Sequence, residues 1–146
     1  MNRSIKSIAS WITLGLILIQ FIPLRRINPP AVSDIKAPGP IKSILKKACY
    51  DCHSNSTRWS APAYIAPISW VISSTVSSGR KVLNFSLWHN NNNAEIRQQK
   101  AEIQKVVSGS AAHQPLYYIW QPEAQLTVTE KQALLQWLND SLQKQP

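Results

Sequence analysis

A chain of 146 residues supports one domain with a real core, and is too short for two comfortable ones. Sixteen Lys and Arg against seven Asp and Glu give a net charge of +9, yet only 16% of residues are charged and 44% are hydrophobic, which excludes a polyelectrolyte or a disordered tail. Four Gly form neither a GxxxxGK[ST] nor a GxGxxG pattern, so nucleotide chemistry has no support, and two Cys are too few for a disulfide-dense scaffold.

Residues Ile8 to Leu24 run for 17 positions without a charge. As a helix this stretch is about 26 Å long, close to the roughly 30 Å hydrocarbon core of a bilayer. Arg3 and Lys6 precede it, Arg25 and Arg26 follow it, and Trp11 falls near one headgroup level. A signal peptide is the alternative, but the following LRRINPPAVS has no good A-x-A cleavage site. Residues 1–26 are therefore expected to be an uncleaved signal anchor, a transmembrane helix inserted in membrane lipid. Basic residues on both flanks leave its orientation undecided by charge alone.

Asn28 to Pro40 holds four Pro and one Gly, so residues 27–40 are expected to form an extended tether. From there the period becomes helical. Pro40 suits a first helical position, and Ile41, Ile44, Leu45 and Ala48 make an i, i+3, i+4, i+7 stripe that leads to Cys49. Ile68 to Ser78 is a second helix, with Gly79 expected as its stop, and Arg80 to Asn93 reads as loop. Ala94 to Ser108 is a third, with Asn93 as its expected cap and Ile96, Ile103, Val106 and Val107 on its apolar face. The last begins at the capping box Thr127-Val128-Thr129-Glu130 and buries Ala133, Leu134, Trp137 and Leu138. With no strand pair in view, residues 41–146 are expected to be one all-α domain. Beyond residue 26 the net charge is only +5 and scattered, which gives no footprint for nucleic acid.

Both cysteines fall within Cys49-Tyr50-Asp51-Cys52-His53, a C-x-x-C-H sequence. Two thiols at this spacing can each form a thioether to a vinyl group on one haem, and the adjacent His reaches the iron. Three other readings stay open: a thioredoxin-like dithiol, which would want a βαβ setting, a zinc site completed by two of His53, His89 and His113, and a local disulfide.

Around this motif run CYDCHSNSTRW, then Tyr64-Ile65-Ala66-Pro67-Ile68-Ser69-Trp70, Gly79-Arg80, Leu83-Asn84-Phe85-Ser86, Trp88 and the closing Gln121-Pro122-Glu123-Ala124, Leu126 and Glu130-Lys131. In these residues the chain resembles the membrane-anchored haem-binding domain family of bacterial c-type cytochrome-like proteins. Gln20-Phe21-Ile22-Pro23 and Asn28-Pro29-Pro30 extend the likeness toward the N-terminus. The resemblance implies a cytochrome c-like helical fold with one haem c attached at Cys49 and Cys52 and His53 as proximal iron ligand. Family members commonly carry a Met-Pro where this chain reads Ser110 to Leu116, and this chain has no Met besides Met1. His113, in that loop, is the expected distal ligand, and His89 the other candidate.

Trp59, Tyr64, Trp70, Trp88 and Tyr117 are candidates for the haem crevice, set against ordinary core packing. Arg80 and Arg58 are candidates to pair with haem propionates, set against ordinary surface arginines. The expectation is a membrane-tethered haem protein with its domain on the periplasmic side. It would transfer single electrons to a redox protein that the sequence does not name, and act as a carrier rather than an enzyme, since its acids form no paired-carboxylate constellation. A haem-based sensor or gas-binding module and a tethered thiol-disulfide protein are the rivals.

Overall fold

The computed structural model describes residues 3–90, 92–109 and 117–143. Helix α1 (Arg3–Leu18) continues as a 3₁₀ turn (Ile19–Phe21). Together they form one helix, Arg3–Phe21, long and apolar enough to cross a membrane, with no residue of the span buried against the rest of the chain. Ser10 and Thr13 satisfy their hydroxyls on the carbonyls of Lys6 and Ala9 one turn back, so they interrupt the apolar surface little.

Helix α2 (Gly39–Ala48) starts with Pro40 in its first turn and ends on Lys46 and Lys47, whose charges suit the negative end of the helix dipole. Its stripe buries Ile41 and Leu45, as expected. Cys49 breaks the helix and begins the single turn α3 (Tyr50–His53). A 3₁₀ turn (Ala61–Tyr64) then leads into α4 (Ile68–Val82). This helix runs through Gly79 rather than stopping there and is capped at Leu83, whose N–H bonds the Gly79 carbonyl at 2.9 Å. Most of the expected loop 80–93 is therefore ordered structure: the end of α4 and a kinked 3₁₀ segment (Phe85–Asn90).

Helix α5 (Asn93–Val107) is capped by Asn92, one residue earlier than expected, in a reciprocal box with Glu95. The short α6 (Tyr117–Trp120), a 3₁₀ turn (Pro122–Ala124) and α7 (Val128–Gln143) complete the chain. The Thr127–Glu130 capping box forms as read. The fold is all-α, with no strand among the described residues.

Leu45, Phe85, Leu134 and Leu138 are fully buried, and Ile35, Ile41, Tyr50, Trp88, Ile103 and Val107 surround them. Each such side chain contributes about 1.5–3 kcal/mol on burial. Phe85 stacks between Tyr50 and Trp88, at centroid distances of 5.0 and 5.8 Å. Helices α2, α5 and α7 pack on one another in pairs, α5 and α2 each against α7, while α3 packs on α4.

Residues 27–40 are extended up to α2, but they lie against the domain. Ile35 enters the core, Val32 and Ser33 donate their N–H groups to the Ser86 carbonyl, and Asn55 donates to the carbonyl of Pro30. Proline removes the donors that would build regular structure, so the Ser86 carbonyl and the Asn55 side chain supply the partners instead.

Candidate functional site

The site grows from the break between α2 and α3. Cys49 adopts φ −125° and ψ −34°, and the carbonyl it presents accepts from the N–H groups of Cys52 and His53 at 3.2 and 2.9 Å. This tight turn places both thiols and the imidazole on one cleft of about 720 Å³, within the range of small-molecule and cofactor pockets. Ser74, Thr75, Ser78 and Val82 of α4 form one wall. Gln98, Gln99, Glu102 and Val106 of α5 form another, with Phe85 and Tyr117 also contributing.

His53 is oriented from behind. Its Nδ1 lies 3.0 Å from the Gly79 carbonyl oxygen and 3.2 Å from that of Leu83. Both neighbours are acceptors, so Nδ1 carries the proton and donates it, which makes Nε2 the nitrogen with the lone pair. A backbone carbonyl on the far nitrogen is the usual support of a metal-binding imidazole. The last turn of α4 can supply it because Gly79 has no side chain. A β-carbon there would lie 2.6 Å from the Cys52 carbonyl oxygen.

Both cysteines are unpaired by any disulfide and partly buried. Burial pushes the Cys49 thiol up to about 12, with the Cys52 sulfur adding to it. Burial and the Asp51 carboxylate push Cys52 up to about 11 against a small opposing pull from Arg80. A dithiol oxidoreductase needs a depressed thiol pKa and a ready thiolate, so this environment argues against the thioredoxin-like reading. No group of three metal-ligating side chains occurs among the described residues, which leaves the zinc reading without a ligand set there.

The other candidates are distributed differently from expectation. Tyr117 lines the cleft, and its hydroxyl donates to Asp51 at 2.6 Å. Arg58 is engaged by the same carboxylate through Nε, Nη2 and its backbone N–H. Arg80 does not line the cleft. Its guanidinium donates to the carbonyls of Ser54 and Ile27, the side-chain oxygen of Asn28 and the hydroxyl of Thr57, all at 2.8–2.9 Å. Tyr64 is 57% exposed with the Arg26 guanidinium 4.8 Å above its ring, and Trp70 is partly buried with an indole N–H that finds no partner among the described residues. Neither reaches the cleft. Trp88 belongs to the core, and Trp59 lines a smaller cavity beside Trp120. His113 lies outside the described residues.

The family model of the haem-binding domain matches residues 14–140. The chain belongs to the haem-binding domain family. No curated protein and no solved structure matches it. The match begins inside α1 and spans the extended segment, the C-x-x-C-H turn and nearly all of α7, so it takes in most of the chain of this haem-binding protein. The residues of the cleft fit a haem: an imidazole with its proton fixed on Nδ1, two thiols on the same wall and a cavity of adequate volume.

Sequence reasoning missed the α5 wall and the role of Gly79. Gln98, Gln99 and Glu102 fall outside the apolar face of an amphipathic helix, and the sequence reading named none of them. Their spacing of three to four positions was the available signal.

Proposed function

We propose that this haem-binding protein is a membrane-tethered c-type cytochrome that transfers single electrons on the extracytoplasmic side. The observation that carries the reading is the pair of carbonyls, Gly79 and Leu83, behind His53 on the wall shared with Cys49 and Cys52. Cys49 and Cys52 would hold the group covalently: each S–H adds across one vinyl C=C, sulfur to one carbon and hydrogen to the other, with no oxidant consumed. His53 would hold the iron through Nε2, while its Nδ1–H donates to the α4 carbonyls, which fixes the ring in rotation. The buried Phe85 and Ile103 give the cleft an apolar lining, while Ser74, Ser78 and Val82 of α4 and Gln98 and Glu102 of α5 are exposed. Bound haem supplies a one-electron iron couple, whose potential axial ligation and burial tune.

The extracytoplasmic side is supported by covalent haem attachment, which is carried out there, and by α1 as an uncleaved anchor. His113 is proposed as the distal ligand from its place in the loop where the family's Met falls. The electron-carrier reading makes the protein no enzyme in its own right. A sensor or gas-binding module is the second reading, since His53 is the one imidazole or thioether among the described residues of the cleft.

The test is expression with a haem c maturation system, followed by haem staining after denaturing electrophoresis and spectra of the membrane fraction. A stained band near the chain's mass and six-coordinate low-spin haem in both oxidation states are expected. Loss of the stain on denaturation overturns covalent attachment, and five-coordinate haem moves the reading to the sensor. Retention in alkaline carbonate tests the anchor, and N-terminal sequencing tests cleavage.

A further inference from the structure

Between Tyr64 and Val71 the domain exposes four large apolar side chains within eight residues: Tyr64 57%, Ile65 57%, Ile68 44% and Val71 48%. Single exposed apolar residues are ordinary on a protein surface, but a cluster of this size is not. Ile68 and Val71 are one turn apart on α4 and share a face, and Tyr64 and Ile65 lead directly into it. At the centre of the stretch is Ala66, and the chain has fastened α1 to it. Gln20 accepts from the Ala66 N–H at 3.0 Å and donates to the Ala66 carbonyl at 3.2 Å, while the same amide nitrogen reaches back to the Leu16 carbonyl at 3.0 Å.

Gln20 is the first polar side chain after the apolar run of α1, so it marks the depth at which the helix leaves hydrocarbon. Phe21 and Ile22 follow at that depth, 80% and 50% exposed. Arg26 comes next, donating to the Ala63 carbonyl at 3.2 Å and covering the Tyr64 ring. A tyrosine with an arginine beside it, at the end of an apolar helix, is the arrangement of a membrane–water boundary, where the ring sits at headgroup level and the cation meets lipid phosphate.

We propose that the Tyr64–Val71 face is a second membrane contact, resting in the headgroup layer of the same bilayer that α1 enters. The proposal rests on the anchoring reading of α1. The occupant is lipid because the pair of hydrogen bonds between Gln20 and Ala66 makes this face continuous with the anchor, and because Arg25 and Arg26 supply charge complementary to anionic headgroups. A face held at that depth stays in contact with lipid whatever else the domain binds.

The experiment places the photoreactive residue p-benzoylphenylalanine at one position at a time in the full-length chain, inserted in vesicles of phosphatidylethanolamine and phosphatidylglycerol. The positions are Leu14 in the anchor, Ile65 and Ile68 in the proposed face, and Val128, 73% exposed on α7. Circular dichroism checks that each variant keeps its helical content. Lipid adducts in the mass spectrum are expected from positions 14, 65 and 68 and not from 128. Adducts from 14, with yields from 65 and 68 no greater than from 128, overturn the second contact and leave the anchor standing. The absence of adducts from 14 overturns the anchor, and this inference with it.

Discussion

Gly79 and Cys52 touch backbone to backbone: the position a β-carbon would take on Gly79 is 2.6 Å from the Cys52 carbonyl oxygen and 3.2 Å from its β-carbon. That approach brings the last turn of α4 within hydrogen-bond reach of His53. Replacing Gly by Ala inside a helix ordinarily stabilises it by about 0.5–1 kcal/mol. Here the clash is with backbone, which cannot swing away, and overpacking of this kind costs about 1–3 kcal/mol. Gly79→Ala is expected to be net destabilising in chemical denaturation and to lower haem retention. An increase in stability would show that the contact is loose.

Arg80, next in the chain, uses four donors on two segments distant in sequence, residues 27–28 and 54–57. At about 0.5–1.5 kcal/mol for each of the four hydrogen bonds, Arg80→Ala is expected to cost roughly 2–6 kcal/mol. Arg80→Lys should recover little of this, because a single ammonium cannot reproduce the planar fork. Limited proteolysis near Ile27 and Asn28 should speed up in both variants. Unchanged cleavage would mean that the segment is held without Arg80.

Gly79 and Arg80 show what sequence can and cannot disclose. The C-x-x-C-H turn was legible because its three functional groups lie within five residues, and the α2 and α7 stripes were legible because helical periodicity is local. Arg80 read as a propionate partner because its acceptors are carbonyls 26 and 53 residues away, which no composition or spacing reveals. Gly79 read as a helix stop for the same reason: a glycine demanded by a neighbouring backbone looks in sequence like one demanded by a turn. Phe85 and Trp88 were placed in a loop, although their spacing of three positions is that of a helical turn and both are core.

Acid should loosen the junction between the extended segment and α2. Burial raises the pKa of Asp34, but hydrogen bonds from Lys42 and Tyr50, the Lys42 charge and the Ile35 N–H together outweigh it and leave the carboxyl below its ordinary value. A group depressed in the folded state contributes stability that is fully present above its unfolded pKa of about 3.9 and is lost as pH falls through the folded value. The pair is part-exposed, so its contribution is about 0.5–1 kcal/mol. Denaturation curves from pH 6 down to about pH 3 should show a shallower acid limb in Asp34→Asn than in the wild type. Identical limbs would assign the acid sensitivity elsewhere, with Glu130 and its Lys47 partner the next pair to test.

Cys49→Ala combined with Cys52→Ala is expected to abolish haem staining after denaturation, since the chain has no other thiol. Staining equal to wild type would remove covalent attachment from the proposal. Because His53 and its carbonyl partners are untouched by these substitutions, added haem should still bind the double variant reversibly, detectable by a Soret band in solution.

For the distal side, His113→Ala is expected to change the low-spin electron paramagnetic resonance signal and the redox midpoint, with His89→Ala silent in both. Imidazole in place of a thioether places the potential toward the low end of the range, about 0.8 V wide, that axial ligands control. A signal unchanged in His113→Ala and altered in His89→Ala would transfer the role to His89.

The bonds from Gln20, Arg26, Asn55 and Arg80 that fasten residues 20–30 to the domain also decide how the protein meets others. A free linker of 14 residues would let its cargo wander about 20 Å from the point of attachment. Here that radius is cancelled, because the backbone that would swing is hydrogen-bonded along its length. The domain is a fixed post rather than a swinging arm, so the search for an encounter falls to whatever visits it. On the anchoring proposal, its geometry relative to the bilayer would be inherited from the fold, and a visitor would find the same orientation each time.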